Sequence, residues 1–249
     1  MLSKSQISLF KSLQHKKFRK VYGLFIAEGY KSVAEFITAG FVVENVYHTS
    51  AIAPKLLKLS AKINFQEISL ADIAKLSALS TPPDVIAMVK IPERPLLDAG
   101  LLQQKHTLVL DGIQDPGNMG TIIRTADWFG ITHIICSEDT VDVYNPKVVQ
   151  ATMGSLARVN VYYASLEKTI PALKMPVYGA LLNGQNIYTT NFKNEGLIVM
   201  GNEGNGIRPG IQQLVDTAVT IPSLGKAESL NVAIATAIFC SEISKNRFK

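Results

Sequence analysis

The 249-residue sequence predicts a two-part α/β protein. Three observations carry that expectation. Short apolar runs bounded by polar turns alternate with segments whose apolar residues recur at helical spacing, the pattern of packed sheet and helix layers. The alternation breaks around Pro92 and Pro95 and restarts at Thr107, which sets 1–92 as one domain, 93–104 as a linker and 105–249 as a second domain. The composition, 47% hydrophobic and 18% charged, provides apolar surface for buried cores and is too rich for intrinsic disorder.

In the first domain, Ser3 and Ser5 precede Ile7, Leu9, Phe10 and Leu13 at helical spacing. Residues 24–28 read as extended, and Val33, Phe36 and Ile37 define a helix that Gly40 stops. A strand over 41–48, a helix over 54–61, a strand over 63–68, a helix capped by Ser69 and a strand over 85–91 complete the small α/β unit. In the second domain, 108–110 is a short buried strand, followed by a polar loop over 111–118 and a helix to Gly130. Strands are expected over 131–136, 159–163, 177–182, 197–200 and 218–221, with Pro146 in the first turn of a helix ending near Gly154. The last helix, about 229–244, is apolar nearly all round, so it must be buried inside the domain or against a second subunit.

Several function classes fall away. No segment approaches the roughly 20 apolar residues of a membrane span, and the N-terminus lacks the apolar core of a secretory signal. Cys136 and Cys240 sit in apolar runs, the four histidines are scattered, and neither a disulfide framework nor a metal-ligand cluster is present. The expectation is a cytoplasmic protein with no membrane and no metal. All of the +5 net charge falls within residues 1–104, and Lys4, Lys11, Lys16, Lys17, Arg19 and Lys20 precede the first acid, Glu28. Such a concentration attracts polyanions, nucleic acid above all, although a solvated lysine-decorated helix accounts for it equally well.

Three loops after buried strands carry the chemistry, where ligands bind in open α/β sheets. The first, 111–126, holds Gly117 and Gly120, Asn118 as a cap at the helix start, and Arg124, which faces solvent or a site. The second, 200–207, reads Met-Gly-Asn-Glu-Gly-Asn-Gly-Ile; its glycines run GxxGxG, not the GxGxxG of dinucleotide sites, and no Walker-type lysine loop exists. The third, 221–232, contains Pro222, Gly225 and Glu228-Ser-Leu-Asn-Val, with Ser229 or Glu228 opening the last helix and Asn231 in its first turn. Each has an ordinary reading, as a capped helix or a tight turn; their joint occurrence in one domain is less ordinary.

In this order the three loops resemble the motifs of the SpoU (TrmH) family of SPOUT methyltransferases: Asn118-x-Gly-x-x-x-Arg124-x-Ala126, Gly201-Asn-Glu-Gly-x-Gly206, and Ile221-Pro222 followed by Glu228-Ser-Leu-Asn-Val232. Residues 145–154 resemble the family's middle segment, and 17–29 its preceding substrate-binding domain. The resemblance implies an RNA ribose 2′-O-methyltransferase using S-adenosylmethionine, with rRNA a better substrate than tRNA. It implies a C-terminal SPOUT α/β domain with a trefoil knot and a homodimer formed through the C-terminal helix. A non-catalytic RNA-binding or ribosome-assembly protein is the alternative.

The resemblance also assigns roles. Gly201, Ile221 and Leu230 hold the cofactor through their backbones, with Leu181 and Met200 among its apolar neighbours. Arg124 activates the 2′-hydroxyl. A free-base guanidine is costly at neutral pH, so orientation of the hydroxyl and adjacent phosphate is favoured over proton abstraction, with the latter open if burial depresses its pKa. Asn118, Glu203, Ser229 and Asn231 position Arg124 and the ribose. Lys16, Lys17, Arg19 and Lys20 grip the RNA.

Overall fold

The computed structural model of the protein describes residues 2–59, 63–93 and 95–245. The chain forms two compact units: Met1–Arg94 with Asp142–Ala157, and Pro95–Val141 with Arg158–Lys249. In the first unit the chain runs through α1 (Lys4–Ser12), α2 (Lys16–Tyr22), β1 (Leu24–Glu28), α3 (Tyr30–Thr38), β2 (Val43–His48), α4 (Ala53–Leu56), β3 (Phe65–Glu67), α5 (Leu70–Leu76) and β4 (Val85–Lys90). The second unit begins with α6 (Ala99–Leu102), β5 (His106–Leu110), α7 (Pro116–Trp128) and β6 (His133–Cys136). The chain then returns to the first unit for α8 (Pro146–Ala151) and a 3-10 turn, Ser155–Ala157. It finishes in the second with β7 (Asn160–Tyr163), α9 (Leu166–Leu173), β8 (Val177–Asn186), β9 (Gly196–Met200), α10 (Pro209–Gln212), β10 (Thr217–Thr220) and α11 (Val232–Ser244).

The first unit holds a four-stranded sheet in the order β1-β4-β2-β3. β4 pairs antiparallel with both β1 and β2, and β3 adds parallel to β2. Phe10 and Leu13 from the first helical segment, Ile26 and Met88 from the strands, and Ile73 and Leu76 from α5 close its core. Ser3 starts α1 with the reciprocal capping arrangement, its hydroxyl accepting from Gln6 N and Gln6 reaching back. Glu28 is buried at the end of β1 because it accepts from the Ser77 hydroxyl and Ala78 N. The expected helix over 54–61 is the single turn α4; Ala61, with Ser60 and Lys62, lies outside the described residues.

Two expectations about the domain boundary change. The stretch 93–104 is not a free linker: Asp98 caps α6 through Gly100 N, and Leu102 is fully buried in the second unit's core, while Arg94 lies outside the described residues. Residues Asp142–Ala157 pack with the first unit, not with the chain on either side. Asp142 pairs with Arg19, Tyr144 meets the Phe25 ring at 4.8 Å, and α8 lies against β1. Gly154, at φ +94°, passes so close to Glu35 that a Cβ there would lie 2.5 Å from its Cγ.

The second unit is built on a six-stranded sheet, β10-β8-β9-β5-β6-β7, in which every pair is parallel. Parallel strands buried on both faces read as unbroken apolar runs, and all five residues of β9 are buried. Parallel pairing also puts the carboxyl ends of β5, β8, β9 and β10 on one edge, so the loops that follow them leave from the same side. β8 runs four residues beyond its expected end, and its pairing with β10 skips from Gly179 to Gln185. Leu181 falls in that excursion. No helix among the described residues is long and apolar enough to cross a membrane.

Candidate active site

The first loop leaves β5 at the buried Asp111, which is 1% exposed, and turns at Gly112 with φ +73°. Asp115, not Asn118, caps α7: its carboxylate accepts from Asn118 N at 2.7 Å, and Pro116 occupies the first turn, where an amide hydrogen is not needed. Asn118 therefore sits inside the first turn with its side-chain amide free for other work. That amide donates to Glu203 Oε1 at 3.0 Å and accepts from Asn231 Nδ2 at 2.9 Å.

The second loop leaves β9 at the buried Met200 and closes on itself. Asn202 and Gly206 exchange backbone hydrogen bonds of 2.9 and 3.0 Å, and Asn202 Oδ1 accepts from Gly204 N and Asn205 N. A Cβ at Gly201 would lie 2.2 Å from the Gly206 carbonyl carbon, and Gly206 has φ +66°, so the closure requires both glycines. Asn202 Nδ2 donates to Gly112 O at 2.7 Å, tying this loop to the first. Glu203 is thereby carried to the start of α7, where a carboxylate is favoured by the helix's unpaired amides, Asp115 N lying 3.4 Å away.

The third loop ends at Asn231, which is itself the N-cap of α11; neither Ser229 nor Glu228 opens the helix. Asn231 Oδ1 accepts from Ala233 N and Ile234 N. Since backbone amides must face its oxygen, its nitrogen points outward, to Asn118. The result is a directed chain in which Asn231 donates to Asn118 and Asn118 donates to the Glu203 carboxylate, with one residue from each loop. A charge-assisted bond terminates it.

Arg124 lies six residues beyond Asn118 on α7 and is exposed, as the helical count predicts. Neither it nor the exposed Ser229 is hydrogen-bonded into the chain among the described residues. The residues expected around a cofactor lie at the sheet's carboxyl edge. Met200 is buried, Leu181, Gly201 and Ile221 are half-buried, and Leu230 is 48% exposed. Residues 222–231 are exposed throughout, so their backbone donors and acceptors are open to a ligand, beside leucine and isoleucine side chains suited to a purine. That combination fits an adenosyl group. No group of three or more His, Cys, Asp or Glu among the described residues is placed to hold a metal ion.

A second connection between the first two loops is not legible in the motifs. Asp111 accepts from Arg208 N at 2.8 Å and Nε at 2.7 Å, with Nη2 2.5 Å away, and Asp139 stands 3.7 Å from the same guanidinium. Hydrogen bonding to Asp111 raises the Arg208 pKa above its ordinary value, and the Ser137 hydroxyl holds the Asp139 carboxyl below the usual carboxylate range. An aspartate directly after a buried strand is the signal that marks it. Burial pushes the Cys240 thiol up to about 12, and that of Cys136 further, so neither is a nucleophile at neutral pH.

In the first unit, Lys16, Lys17 and Lys20 are exposed on α2. Arg19 is a correction to the expected cationic set. It is 2% exposed, pairs with Asp142 at 2.6 Å and donates to Leu13 O and Gln14 O, both at 2.9 Å. Four hydrogen bonds from its guanidinium hold the segment before α2 and the returning chain in place.

Residues 105–241 match the SpoU rRNA Methylase family, and residues 4–87 match the MRM3-like substrate binding domain. A 23S rRNA (guanosine(2553)-2′-O)-methyltransferase of Bacillus subtilis is 32% identical over 234 residues, 92% of each chain. Among solved structures, a TrmH-family protein from Porphyromonas gingivalis is similar with a TM-score of 0.89 at 38% identity, covering 99% of both chains. An AdoMet-bound rRNA methyltransferase from Sinorhizobium meliloti gives 0.88 at 28% identity, covering 99% of this chain and 97% of the other.

Proposed function

The chain belongs to the SpoU rRNA methylase family, and on that footing we propose that it methylates a ribose 2′-hydroxyl of ribosomal RNA. The observation that carries the proposal is the hydrogen-bond chain from Asn231 through Asn118 to Glu203, which joins three loops more than 80 residues apart in their farthest pairings. A set of capped helices and tight turns has no need of that convergence.

S-adenosylmethionine supplies the electrophilic methyl group when bound. The backbones of Gly201, Ile221 and Leu230 would hold it, and Leu181, Met200 and the Leu230 side chain would shield its purine from water. Arg124 directs its planar donors at the 2′-hydroxyl oxygen and the neighbouring phosphate and so orients the ribose. Glu203, held by Asn118 and Asn231, keeps the first and second loops in register and offers a carboxylate to the ribose side; Ser229 adds a hydroxyl donor from the third loop. Lys16, Lys17 and Lys20 bind the RNA backbone.

The working form is a homodimer. α11 packs one face on α7 and leaves Ile234 54% exposed, and Trp128 near the end of α7 is 84% exposed; a second copy covers both. The second unit is likewise proposed to carry the trefoil knot of this family. The test is to incubate the protein with methyl-labelled cofactor and unmodified rRNA or tRNA, then map the labelled nucleotide. Label on a single rRNA ribose supports the proposal. Label on tRNA, on a base, or on neither RNA contradicts it.

A further inference from the structure

The row of aromatic rings on α2 has no part in the chemistry above. His15, Phe18 and Tyr22 follow at helical spacings of three and four, which places them on one face. The Phe18 and Tyr22 rings are nearly parallel, 19° apart in plane with centroids at 6.4 Å, and His15 meets Phe18 edge-on, also at 6.4 Å. Phe18 is 36% exposed, Tyr22 50% and the adjoining Val21 68%, so this apolar face lies open on a helix of seven residues. Lys16, Lys17 and Lys20, all exposed, flank it. Asp142 is taken up by the buried Arg19, and among the described residues no acid forms an ion pair with the three lysines.

Open rings bordered by cations match single-stranded nucleic acid. Unpaired bases stack on aromatic faces, while lysines follow the phosphates. A protein partner for the same rings would have to bring acidic side chains for the three lysines as well, and duplex RNA offers no unstacked base. We infer that α2 is a stacking platform for an unpaired RNA base, received on Phe18 and Tyr22, with Lys16, Lys17 and Lys20 on the flanking phosphates. The inference rests on the reading of RNA as substrate and adds that the bound segment is a loop or single strand.

The experiment uses the full chain and two probes, a short oligoadenylate and a perfect RNA duplex of equal charge, over a range of salt. Phe18→Leu/Tyr22→Leu removes the rings and keeps apolar volume. It is expected to weaken oligoadenylate binding about tenfold with an unchanged salt slope, since stacking is the component lost. Duplex binding stays as in the parent protein. Lys16→Gln/Lys17→Gln/Lys20→Gln instead lowers the slope by about 2 for the single strand and about 3 for the duplex, each phosphate contact contributing about 0.7 and about 0.9 respectively. Phe18→Tyr/Tyr22→Phe, which retains both rings, restores parental binding. As a measurement needing no variant, photocrosslinking of the parent protein to oligouridylate carrying 4-thiouridine should label the peptide containing Phe18 and Tyr22. Crosslinks elsewhere only, equal loss of both probes in the leucine variant, or a leucine variant that binds normally would overturn the inference. Methyl transfer by the same preparations is scored separately: a crosslink at α2 without transfer defeats the proposed activity and leaves the platform standing, and transfer without the crosslink does the reverse.

Discussion

In the second unit every strand runs parallel to its neighbours, whereas in the first β4 runs against both β1 and β2. The difference decides where function can gather. A parallel sheet sends the chain out of the same edge after each strand, so Asn118, Glu203 and Asn231 arrive together although 113 residues separate the first from the last. A mixed sheet divides its loops between two ends and gathers nothing comparable. The surface proposed for RNA in the first unit lies instead on the outside of a short helix, where charge and ring exposure count and no convergence is required. On the proposed reading, chemistry is a property of topology and RNA recognition a property of surface.

That contrast can be broken at several points. The largest effect is expected at Arg124: Arg124→Ala should lower methyl transfer by about 10² to 10³, the usual loss of one preorganised charge donor, while cofactor affinity by calorimetry is unchanged. A large and reversed division of effects is expected at Arg19. Arg19→Ala leaves Asp142 without its partner and should destabilise the first unit by about 3 kcal/mol in denaturant unfolding, yet leave the salt slope of RNA binding intact. A variant that lost slope and kept stability would return Arg19 to the RNA-binding set.

Asp111→Ala leaves the half-exposed Arg208 without its buried acceptor and should cost about 2 kcal/mol, which corresponds to about 4–8 °C in Tm for a unit of this size. Asn118→Ala severs the link between the second and third loops; because the chain is exposed, about 1 kcal/mol or less of stability is expected to go, with a larger fall in turnover than in cofactor affinity. The smallest effect concerns acid. The Asp139 carboxyl titrates below its ordinary value, so it adds stability that is complete above about pH 4 and is lost as pH falls through the lowered folded value. Asp139→Asn should therefore flatten the unfolding profile below about pH 4 and lower neutral stability by the same small amount that the parent protein loses in acid.

Much of this was readable from residues. Continuous apolar runs such as Leu197–Met200 could only be buried strands, and the three loops announced themselves through glycines and amides after those runs. What escaped reading depended on partners distant in sequence. Asn118 looks like a cap until Asp115 is seen to hold that place, three residues earlier and with proline behind it. Arg19 is indistinguishable from Lys17 and Lys20 until Asp142, 123 residues on, takes its guanidinium. The same long-range contact moves 142–157 out of the domain in which sequence order puts it. Local chemistry sets the elements, and side chains such as Arg19 and Asp111 acquire their roles only when strand order delivers a buried or opposing charge.

The most direct test of the division between topology and surface is a two-column measurement on one set of proteins. Methyl transfer to rRNA and RNA affinity are recorded for the parent chain, Arg124→Ala, and Lys16→Gln/Lys17→Gln/Lys20→Gln. The account predicts that Arg124→Ala loses transfer at saturating RNA while binding RNA nearly as the parent does, and that the lysine variant binds weakly but recovers parental turnover when RNA saturates it. Loss of both properties together in both variants would contradict it.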